Sequence, residues 1–283
     1  MDDTKILIIG SKGQLGTALS NKYSEARAVD ADSLDITNQE QLDKFDFSNI
    51  EYVLNVAAYT NVDGAETEEG RKTAWQVNSL GVANLAGIAV KYDLTLVHIS
   101  TDYVFDGKQP LHTEDEKFSP LSVYGSTKAA ADLLVSLVPK HYILRTSWII
   151  GEGHNFVRTM LEVGRKGIAP KVVSDQIGRL TFTSELVKVI DHLLRTKPAY
   201  GTYNATNEGK SVSWAEITRY IFELANYELK VIDITTAIYY TNKPEAAKRP
   251  LNSTLELKKL KQTGFKPTNW EIDLKSYVEK ELT

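Results

Sequence analysis

The stretch Lys5-Ile6-Leu7-Ile8-Ile9, followed at once by Gly10-Ser11-Lys12-Gly13-Gln14-Leu15-Gly16, decides the fold of this chain. The residues before Gly10 form a continuous apolar run, which is typical of a strand buried on both faces. The glycine-rich turn then leads into a helical pattern over residues 17–23. Strand, glycine-rich turn and helix is the context that a phosphate-binding turn requires. The stretch therefore predicts a nucleotide-binding unit, with an ordinary tight strand–helix turn as the alternative.

Three glycines and one acid give this unit its expected roles. Gly10 allows the tight turn, Gly13 lets the backbone approach a pyrophosphate, and Gly16 lets the helix pack closely on the strand. The spacing is G-x-x-G-x-x-G and so departs from the common G-x-G-x-x-G fingerprint. Asp30 lies twenty residues after Gly10, where an acid hydrogen-bonds an adenosine ribose. A carboxylate there disfavours a 2′-phosphate and favours NADH, although Lys12 weakens that preference.

Beyond this unit, apolar strand patterns alternate with helical patterns. Strands are predicted at residues 26–29, 51–58, 94–99 and 141–147, and a long helical pattern at 65–92 has Trp75 and Leu80 among its expected core residues. This rhythm predicts an α/β fold with a Rossmann-type, doubly wound parallel sheet. The alternation weakens after Gly151, and helical patterns reappear at residues 213–225, 255–261 and 272–281. We therefore predict an NAD(P)-binding domain over residues 1–151 and 181–206, with a smaller, interleaved C-terminal substrate-binding lobe over 152–180 and 207–283.

Tyr124 and Lys128 stand four residues apart at the start of a predicted helix, so their side chains share a face. A positive charge near a phenol favours phenolate, and we expect Lys128 to lower the pKa of Tyr124. Such a pair suits proton transfer to or from a substrate oxygen. The pattern alone is weak, because a core tyrosine with a solvated lysine gives it as well.

Composition excludes several classes of function. The chain has 283 residues, 42% hydrophobic and 25% charged, with a net charge of −4 that argues against nucleic acid as a partner. It has no cysteine, and its five histidines lack metal-binding spacing, so we expect no metal site. Neither a G-x-S-x-G elbow nor a P-loop occurs. No apolar run approaches the ~18 residues of a membrane span, so we expect a cytoplasmic enzyme.

Motifs along nearly the whole chain resemble those of extended short-chain dehydrogenases/reductases and, more narrowly, of dTDP-4-dehydrorhamnose reductases. They are Gly10-x-x-Gly13-x-Leu15-Gly16, Ala57-Ala58-Tyr59-Thr60-x-Val62-Asp63, Ser100-Thr101-Asp102-Tyr103-Val104-Phe105-Asp106-Gly107, Tyr124-Gly125-Ser126-Thr127-Lys128, Arg145-Thr146-Ser147-Trp148, Val173-x-Asp175-Gln176-x-Gly178 and Arg249-Pro250-x-Asn252-Ser253. Arg179-Leu180 and Asn204 depart from the family pattern. The resemblance implies reduction of a dTDP-sugar ketone by NADH or NADPH.

The resemblance also implies a set of site residues. The catalytic residues would be Thr101, Tyr124 and Lys128. The cofactor would lie against Gly10, Gly13, Gln14, Leu15, Gly16, Asp30, Asp35, Ile36, Ala57, Ala58, Tyr59 and Lys128. The sugar nucleotide would meet Ser100, Thr101, Trp148 and Arg249. The guanidinium of Arg249 matches a diphosphate, and a plain surface arginine is the alternative. For Trp148 the alternative is a core tryptophan.

Residues after Thr101 narrow the reaction. Sugar-nucleotide 4,6-dehydratases, which resemble this fold, have an Asp-Glu pair there, whereas this chain has Asp102-Tyr103. Without paired carboxylates, ketone reduction is favoured over elimination. A reductase of another nucleotide 4-keto-6-deoxy sugar remains an alternative, as does a dinucleotide-binding regulatory subunit resembling that of methionine adenosyltransferase. A homodimer is possible, and the sequence does not choose between NADH and NADPH.

Overall fold

The computed structural model describes residues 1–241 and 243–283. The strands are β1 Ile6–Ile9, β2 Arg27–Val29, β3 Tyr52–Asn55, β4 Thr95–Thr101, β5 His141–Thr146, β6 Ile149–Ile150, β7 Lys171–Val173, β8 Ile177–Gly178, β9 Thr181–Phe182, β10 Gly201–Asn204, β11 Val212–Ser213 and β12 Ile232–Ile234. The helices are α1 Gln14–Lys22, α2 Gln39–Lys44, α3 Glu68–Trp75, α4 Gly81–Lys91, α5 Val123–Val135, α6 Phe156–Arg165, α7 Thr183–Thr196, α8 Trp214–Leu224, α9 Thr236–Thr241, α10 Lys258–Gln262 and α11 Trp270–Leu282. None of the helices in these ranges is long and apolar enough to cross a membrane.

Six strands form one parallel sheet in the order β10-β5-β4-β3-β1-β2. All four residues of β1 are buried, and they alternate between two hydrophobic clusters. Leu7 and Ile9 pack with α4 on one face, whereas Ile6 and Ile8 pack with α1 and α7 on the other. The predicted doubly wound Rossmann-type sheet is therefore confirmed. The strand order reverses direction at β1, and its carboxyl end is where open sheets of this kind bind ligands.

The predicted helix over residues 65–92 is interrupted, and the prediction that Trp75 and Leu80 belong to the core is wrong. A single π-helical turn, Gln76–Leu80, separates α3 from α4. The wider turn changes which side chains face inward, so Asn78 is fully buried, while Trp75 is 43% and Leu80 52% exposed. Asn78 Nδ2 donates to Thr127 Oγ1 at 3.1 Å, and its Oδ1 accepts from Tyr59 N at 2.8 Å. The π turn thus links the start of α5 to the loop after β3.

The second half of the chain adds small two-stranded sheets and a third hydrophobic cluster that joins α6, α8 and α11. Most residues of this cluster lie within the ranges predicted for the lobe, while Ile150 and Phe182 lie outside them, and the division into two domains stays a prediction. The helix expected over residues 255–261 is shorter and shifted, at α10. Two departures from the family pattern act inside the fold, because Arg179 donates to the Leu255 carbonyl and Asn204 Nδ2 donates to the His112 carbonyl at 3.0 Å.

The acidic loop between Tyr103 and Pro120 is less solvated than its charges suggest. Glu114 is half-buried and accepts from Asn204 N at 2.9 Å, and Glu116 contacts His112 Nδ1 at 2.8 Å. Of the three acids at residues 114–116, only Asp115 is exposed. The loop is fixed against β10 beside the sheet's carboxyl edge.

A buried ion pair ties α5 to β5. Arg145 Nε donates to Asp132 Oδ2 at 2.9 Å, and both side chains are almost fully buried. Asp132→Ala is expected to lower the free energy of unfolding by about 3–5 kcal/mol, because it leaves a buried guanidinium without its partner. Urea unfolding followed by circular dichroism measures this change. Exposed Asp115→Ala is the matched control, and equal stability of both variants would contradict the expectation.

Candidate active site

Two adjoining cavities open at the carboxyl ends of the central strands. The first, of about 410 Å³, collects most residues predicted to bind the cofactor: Gly10, Gly13, Asp30, Asp35, Ile36, Ala57, Ala58 and Tyr59. The second, of about 460 Å³, collects the remaining cofactor residues and the predicted catalytic ones: Gln14, Leu15, Gly16, Ser100, Thr101, Tyr124, Lys128 and Trp148. Gly13, Val56 and Ala58 line both cavities. An elongated ligand can therefore extend from one into the other.

The glycine-rich turn fits a dinucleotide because nothing larger than hydrogen is accommodated at two of its positions. Gly10 has φ +90°, and an added Cβ would lie 2.6 Å from Ala57 N. At Gly16 an added Cβ would lie 2.0 Å from the Gly10 carbonyl oxygen. Gly13 is the N-cap residue of α1, and no side chain forms a capping hydrogen bond there. Its backbone N–H groups and helix dipole suit the pyrophosphate of NADH or NADPH.

Asp30 stands in the wall of the first cavity, as a ribose-binding acid should. Its Oδ2 accepts from Lys12 N at 3.0 Å and its Oδ1 from Ala31 N at 2.8 Å. The carboxylate is thus held beside the turn by backbone donors. The Lys12 ammonium pairs with Asp32.

Asp30→Asn is expected to raise the affinity for NADPH relative to that for NADH by about tenfold. The amide keeps an oxygen for Lys12 N but removes the charge that strengthens a ribose hydrogen bond and repels a 2′-phosphate. Fluorescence titration with each dinucleotide measures the ratio of the two Kd values. Asp43→Asn, exposed on α2 and outside both cavities, is the control, and an equal shift in both variants would contradict the role of Asp30.

Tyr124 and Thr101 meet in the second cavity. Burial, followed by the nearby Asp102 carboxylate, raises the pKa of Tyr124 above its ordinary value near 10, and a hydrogen bond with Thr101 acts in the opposite direction. Thr101 Oγ1 donates to Asp102 Oδ1 at 2.9 Å, which fixes the hydroxyl. A phenol that keeps its proton at neutral pH is suited to donate one.

Lys128 lies one helical turn from Tyr124 on α5 but is not bonded to it. Lys128 is 2% exposed, and its Nζ donates to the Ile99 carbonyl at 2.6 Å. Burial lowers the pKa of Lys128 to about 8. Our expectation that Lys128 lowers the pKa of Tyr124 is therefore wrong for the free protein, because Nζ points at β4 and the Tyr124 pKa is raised.

Trp148 forms the far wall of the second cavity. Its ring stacks on Trp214 of α8, with centroids 3.7 Å apart, and its backbone has φ +49°. Gly178 makes room for it, since an added Cβ there would lie 2.9 Å from the indole. Of the two interpretations of Trp148, this half-buried position in a cavity wall allows contact with a sugar or base.

Arg249 is the predicted residue that the structure leaves outside both cavities. Its Nη2 pairs with Asp63 Oδ1 at 2.8 Å, and its Nη1 donates to the Ala247 carbonyl at 3.1 Å. The guanidinium therefore has protein partners, and a role with a diphosphate stays a prediction.

Several lining residues were not predicted. Trp214 is the first residue of α8, and no motif pointed to it. Asp102 and Tyr103 belong to the quoted strand-end motif and could have been found from it; the Tyr103 ring packs edge-on to Tyr124 at 5.7 Å. His98 of β4 is fully buried and lines neither cavity, and its position in the sequence gives no signal of a role in the site. Within residues 1–241 and 243–283 the structure has no group of three or more acids, histidines or cysteines placed to hold a metal ion.

Burial raises the pKa of Asp102 to about 6 from an ordinary value near 3.8. The folded protein therefore binds a proton more tightly than the unfolded chain, and stability falls as pH rises from about 4 to about 6. In the wild-type protein this group is expected to lower the unfolding free energy by about 2–3 kcal/mol between pH 4 and pH 7. Asp102→Asn is expected to lack that loss. Urea unfolding at both pH values tests it. The same pH difference in both proteins would contradict the buried carboxyl's role.

A Rossmann-type sheet whose fourth strand ends beside a Tyr-x-x-x-Lys helix defines the class of short-chain dehydrogenases/reductases. Within that class, the family described as RmlD substrate binding domain matches residues 4–283, and the chain belongs to this family, that of the dTDP-4-dehydrorhamnose reductases. A relative from Aggregatibacter actinomycetemcomitans named dTDP-4-dehydrorhamnose reductase is 39% identical, covering 96% of this chain and 97% of the relative.

Two solved structures are similar throughout. A dTDP-4-dehydrorhamnose reductase from Clostridium acetobutylicum has a TM-score of 0.91 and 37% identity, covering 98% of this chain and 99% of that one. The dTDP-4-dehydrorhamnose reductase from Bacillus anthracis, solved in complex with NADP, has a TM-score of 0.87 and 35% identity, covering 97% of both chains.

Proposed function

We propose that this protein reduces the 4-keto group of dTDP-4-dehydro-L-rhamnose to give dTDP-L-rhamnose, with NADH or NADPH as the reductant. The observation that carries the proposal is the opening of a dinucleotide cavity into a second cavity that contains Tyr124 and Thr101. The family membership and the relatives' names support the substrate. The relative solved with NADP supports the cofactor.

Reduction of a ketone needs a hydride at carbon and a proton at oxygen. The nicotinamide supplies the hydride when it is bound. Burial raises the pKa of Tyr124, so the phenol keeps its proton until it gives it to the C4 oxygen. Thr101 lies beside the Tyr124 hydroxyl and positions the same oxygen. Lys128, one turn away on α5, holds the nicotinamide ribose.

The second cavity supplies the contacts expected of a sugar site. Ser100 and Thr101 present hydroxyls at the end of β4, and the stacked indoles of Trp148 and Trp214 supply an apolar wall. Arg249 would reach a diphosphate only after leaving Asp63. A homodimer, a cytoplasmic location and the absence of nucleic acid from the partners stay predictions.

The test is oxidation of NADPH or NADH at 340 nm with dTDP-4-dehydrorhamnose generated in situ. We expect consumption of one dinucleotide per sugar and a product identified as dTDP-L-rhamnose by NMR. Intact dinucleotide binding without turnover would contradict the proposal and favour a dinucleotide-binding regulatory subunit. Turnover with a different 4-keto-6-deoxy sugar, or a product of another configuration, would favour the alternative reductase.

A further inference from the structure

A chain of polar groups crosses the sheet behind the second cavity, from the loop after β3 to Lys128. Asn55 Oδ1 accepts from Ala57 N at 3.2 Å, and Asn55 Nδ2 lies 3.1 Å from His98 Nδ1. His98 Nε2 in turn lies 3.1 Å from Lys128 Nζ, which also donates to the Ile99 carbonyl at 2.6 Å. Asn55 and His98 are fully buried, so water does not complete these bonds.

The direction of each hydrogen bond follows from one fixed donor. A backbone N–H can only donate, so the Asn55 atom that faces Ala57 must be the oxygen. The other Asn55 atom is then the NH₂ group, which donates to His98 Nδ1. A neutral imidazole has one proton, and with Nδ1 as acceptor that proton is on Nε2. Burial lowers the pKa of His98 well below its usual range, which disfavours the imidazolium.

The Nε2–H group of His98 points at Lys128 Nζ. An ammonium has only donors and would face another donor, whereas a neutral amine offers a lone pair there and still donates to the Ile99 carbonyl. With a neutral amine, each contact from Ala57 N through Asn55, His98 and Lys128 to the Ile99 carbonyl joins one donor to one acceptor. Burial lowers the pKa of Lys128 to about 8, so the neutral amine becomes the major form of the free protein above about pH 8.

Other charged and titratable groups surround Lys128. Asp132, on the same helix, raises the pKa of Lys128, but its carboxylate is paired with Arg145 of β5. Tyr124, one turn earlier on α5, keeps its proton, since burial and Asp102 both raise its pKa. Neither Asp132 nor Tyr124 is hydrogen-bonded to Lys128 Nζ, whose partners are His98 Nε2 and the Ile99 carbonyl.

We propose that His98, fixed as its Nε2–H tautomer by Asn55, favours the neutral amine of Lys128 in the free protein, and that dinucleotide binding releases Lys128 from His98 and makes its ammonium the stable form. The proton comes from solvent: a bond to hydrogen in hydronium or a buffer acid breaks, an N–H bond forms on Nζ, and no group is oxidised or reduced. Negative phosphates and ribose hydroxyls favour the ammonium in the bound form. His98 is thus a positioning residue that couples cofactor binding to the charge beside Tyr124. This inference rests on the dinucleotide part of the proposed function and not on the sugar.

The tautomer is tested first in the cofactor-free protein. Long-range ¹H–¹⁵N correlation spectra of ¹⁵N-histidine-labelled protein distinguish Nε2–H from Nδ1–H imidazole. We expect the Nε2–H tautomer for His98, with assignment by comparison with His98→Gln. An Nδ1–H tautomer or an imidazolium would overturn the proposal, whether or not any dinucleotide binds.

Proton uptake is tested by titration calorimetry with NADPH in buffers of different ionisation enthalpy. At pH 8, near the pKa of about 8 for Lys128, the wild-type protein is expected to take up about half a proton, and its Kd should be about tenfold weaker at pH 9 than at pH 7. His98→Gln, whose amide oxygen can face an ammonium, should reduce the uptake to near zero and the pH effect to below about twofold. Lys128→Met should lose the uptake as well.

Two outcomes of this titration would overturn the inference: binding without proton uptake in the wild-type protein, or the same uptake in His98→Gln. Thermal unfolding of each variant checks that it is folded. If NADPH binds with the expected uptake while no sugar is reduced, the proposed function fails and the role of His98 stands. If neither dinucleotide binds, the proposed function and the coupling both fail, and the tautomer measurement still decides the state of Lys128 in the free protein.

Discussion

Tyr124→Phe is expected to lower kcat by about 10²–10⁴-fold and to leave the Kd for NADPH within about twofold. The substitution removes only the hydroxyl that we propose gives a proton to the C4 oxygen. The ring itself stays, and its edge-on packing with Tyr103 at 5.7 Å does not need the hydroxyl. Because no other group in the cavity is expected to replace this proton, KM should change much less than kcat.

Steady-state oxidation of NADPH and separate fluorescence titration measure the two quantities. Tyr103→Phe is the matched control, since it removes a phenolic hydroxyl from the same cavity and should cost less than about tenfold in kcat. Equal losses in the two variants would contradict a special role for Tyr124. A regulatory dinucleotide-binding protein would show no turnover in either variant and unchanged binding of its partner.

The sheet and the cofactor half of the site could be predicted because their signals are local. A continuous apolar run such as β1 is buried on both faces, and a glycine-rich turn after it has few other physical uses. The residues predicted to meet the cofactor accordingly line the two adjoining cavities. Parallel strands also bring their carboxyl ends to one edge, so Thr101 could be placed with Gly13 from the strand pattern alone.

The rest of the site depends on contacts between distant residues. One π-helical turn moves Trp75 and Leu80 to the surface and Asn78 inward, and an apolar periodicity cannot reveal such an insertion. Trp214 reaches the cavity by stacking on Trp148, which depends on how the second lobe packs. The direction in which Lys128 points depends on His98 and Ile99 across the sheet, so two residues four apart on a helix shared a face without sharing a hydrogen bond.

Gly16→Ala is expected to weaken dinucleotide binding by at least about a hundredfold, which corresponds to about 3 kcal/mol. An added Cβ would lie 2.0 Å from the Gly10 carbonyl oxygen and 2.7 Å from Ser11 Cα. Both contacts are backbone atoms of the phosphate-binding turn, so α1 must move away from β1 and the turn must change shape. We also expect a loss of about 1–3 kcal/mol in unfolding free energy from overpacking.

Two other glycines make this prediction specific. Gly13→Ala places its Cβ at an ordinary 3.5 Å from the Gly10 carbonyl, so it should leave stability nearly unchanged and reduce binding only by crowding a pyrophosphate. Gly87→Ala, exposed on α4 with no atom within 4 Å, should stabilise the fold by about 0.5–1 kcal/mol and leave binding alone. Urea unfolding and fluorescence titration on all three variants separate the effects. The contact with the Gly10 carbonyl is the reason we give for a glycine at position 16. If Gly16→Ala bound NADPH as tightly as Gly87→Ala does, close packing of α1 on the turn would not determine the shape of the cofactor site.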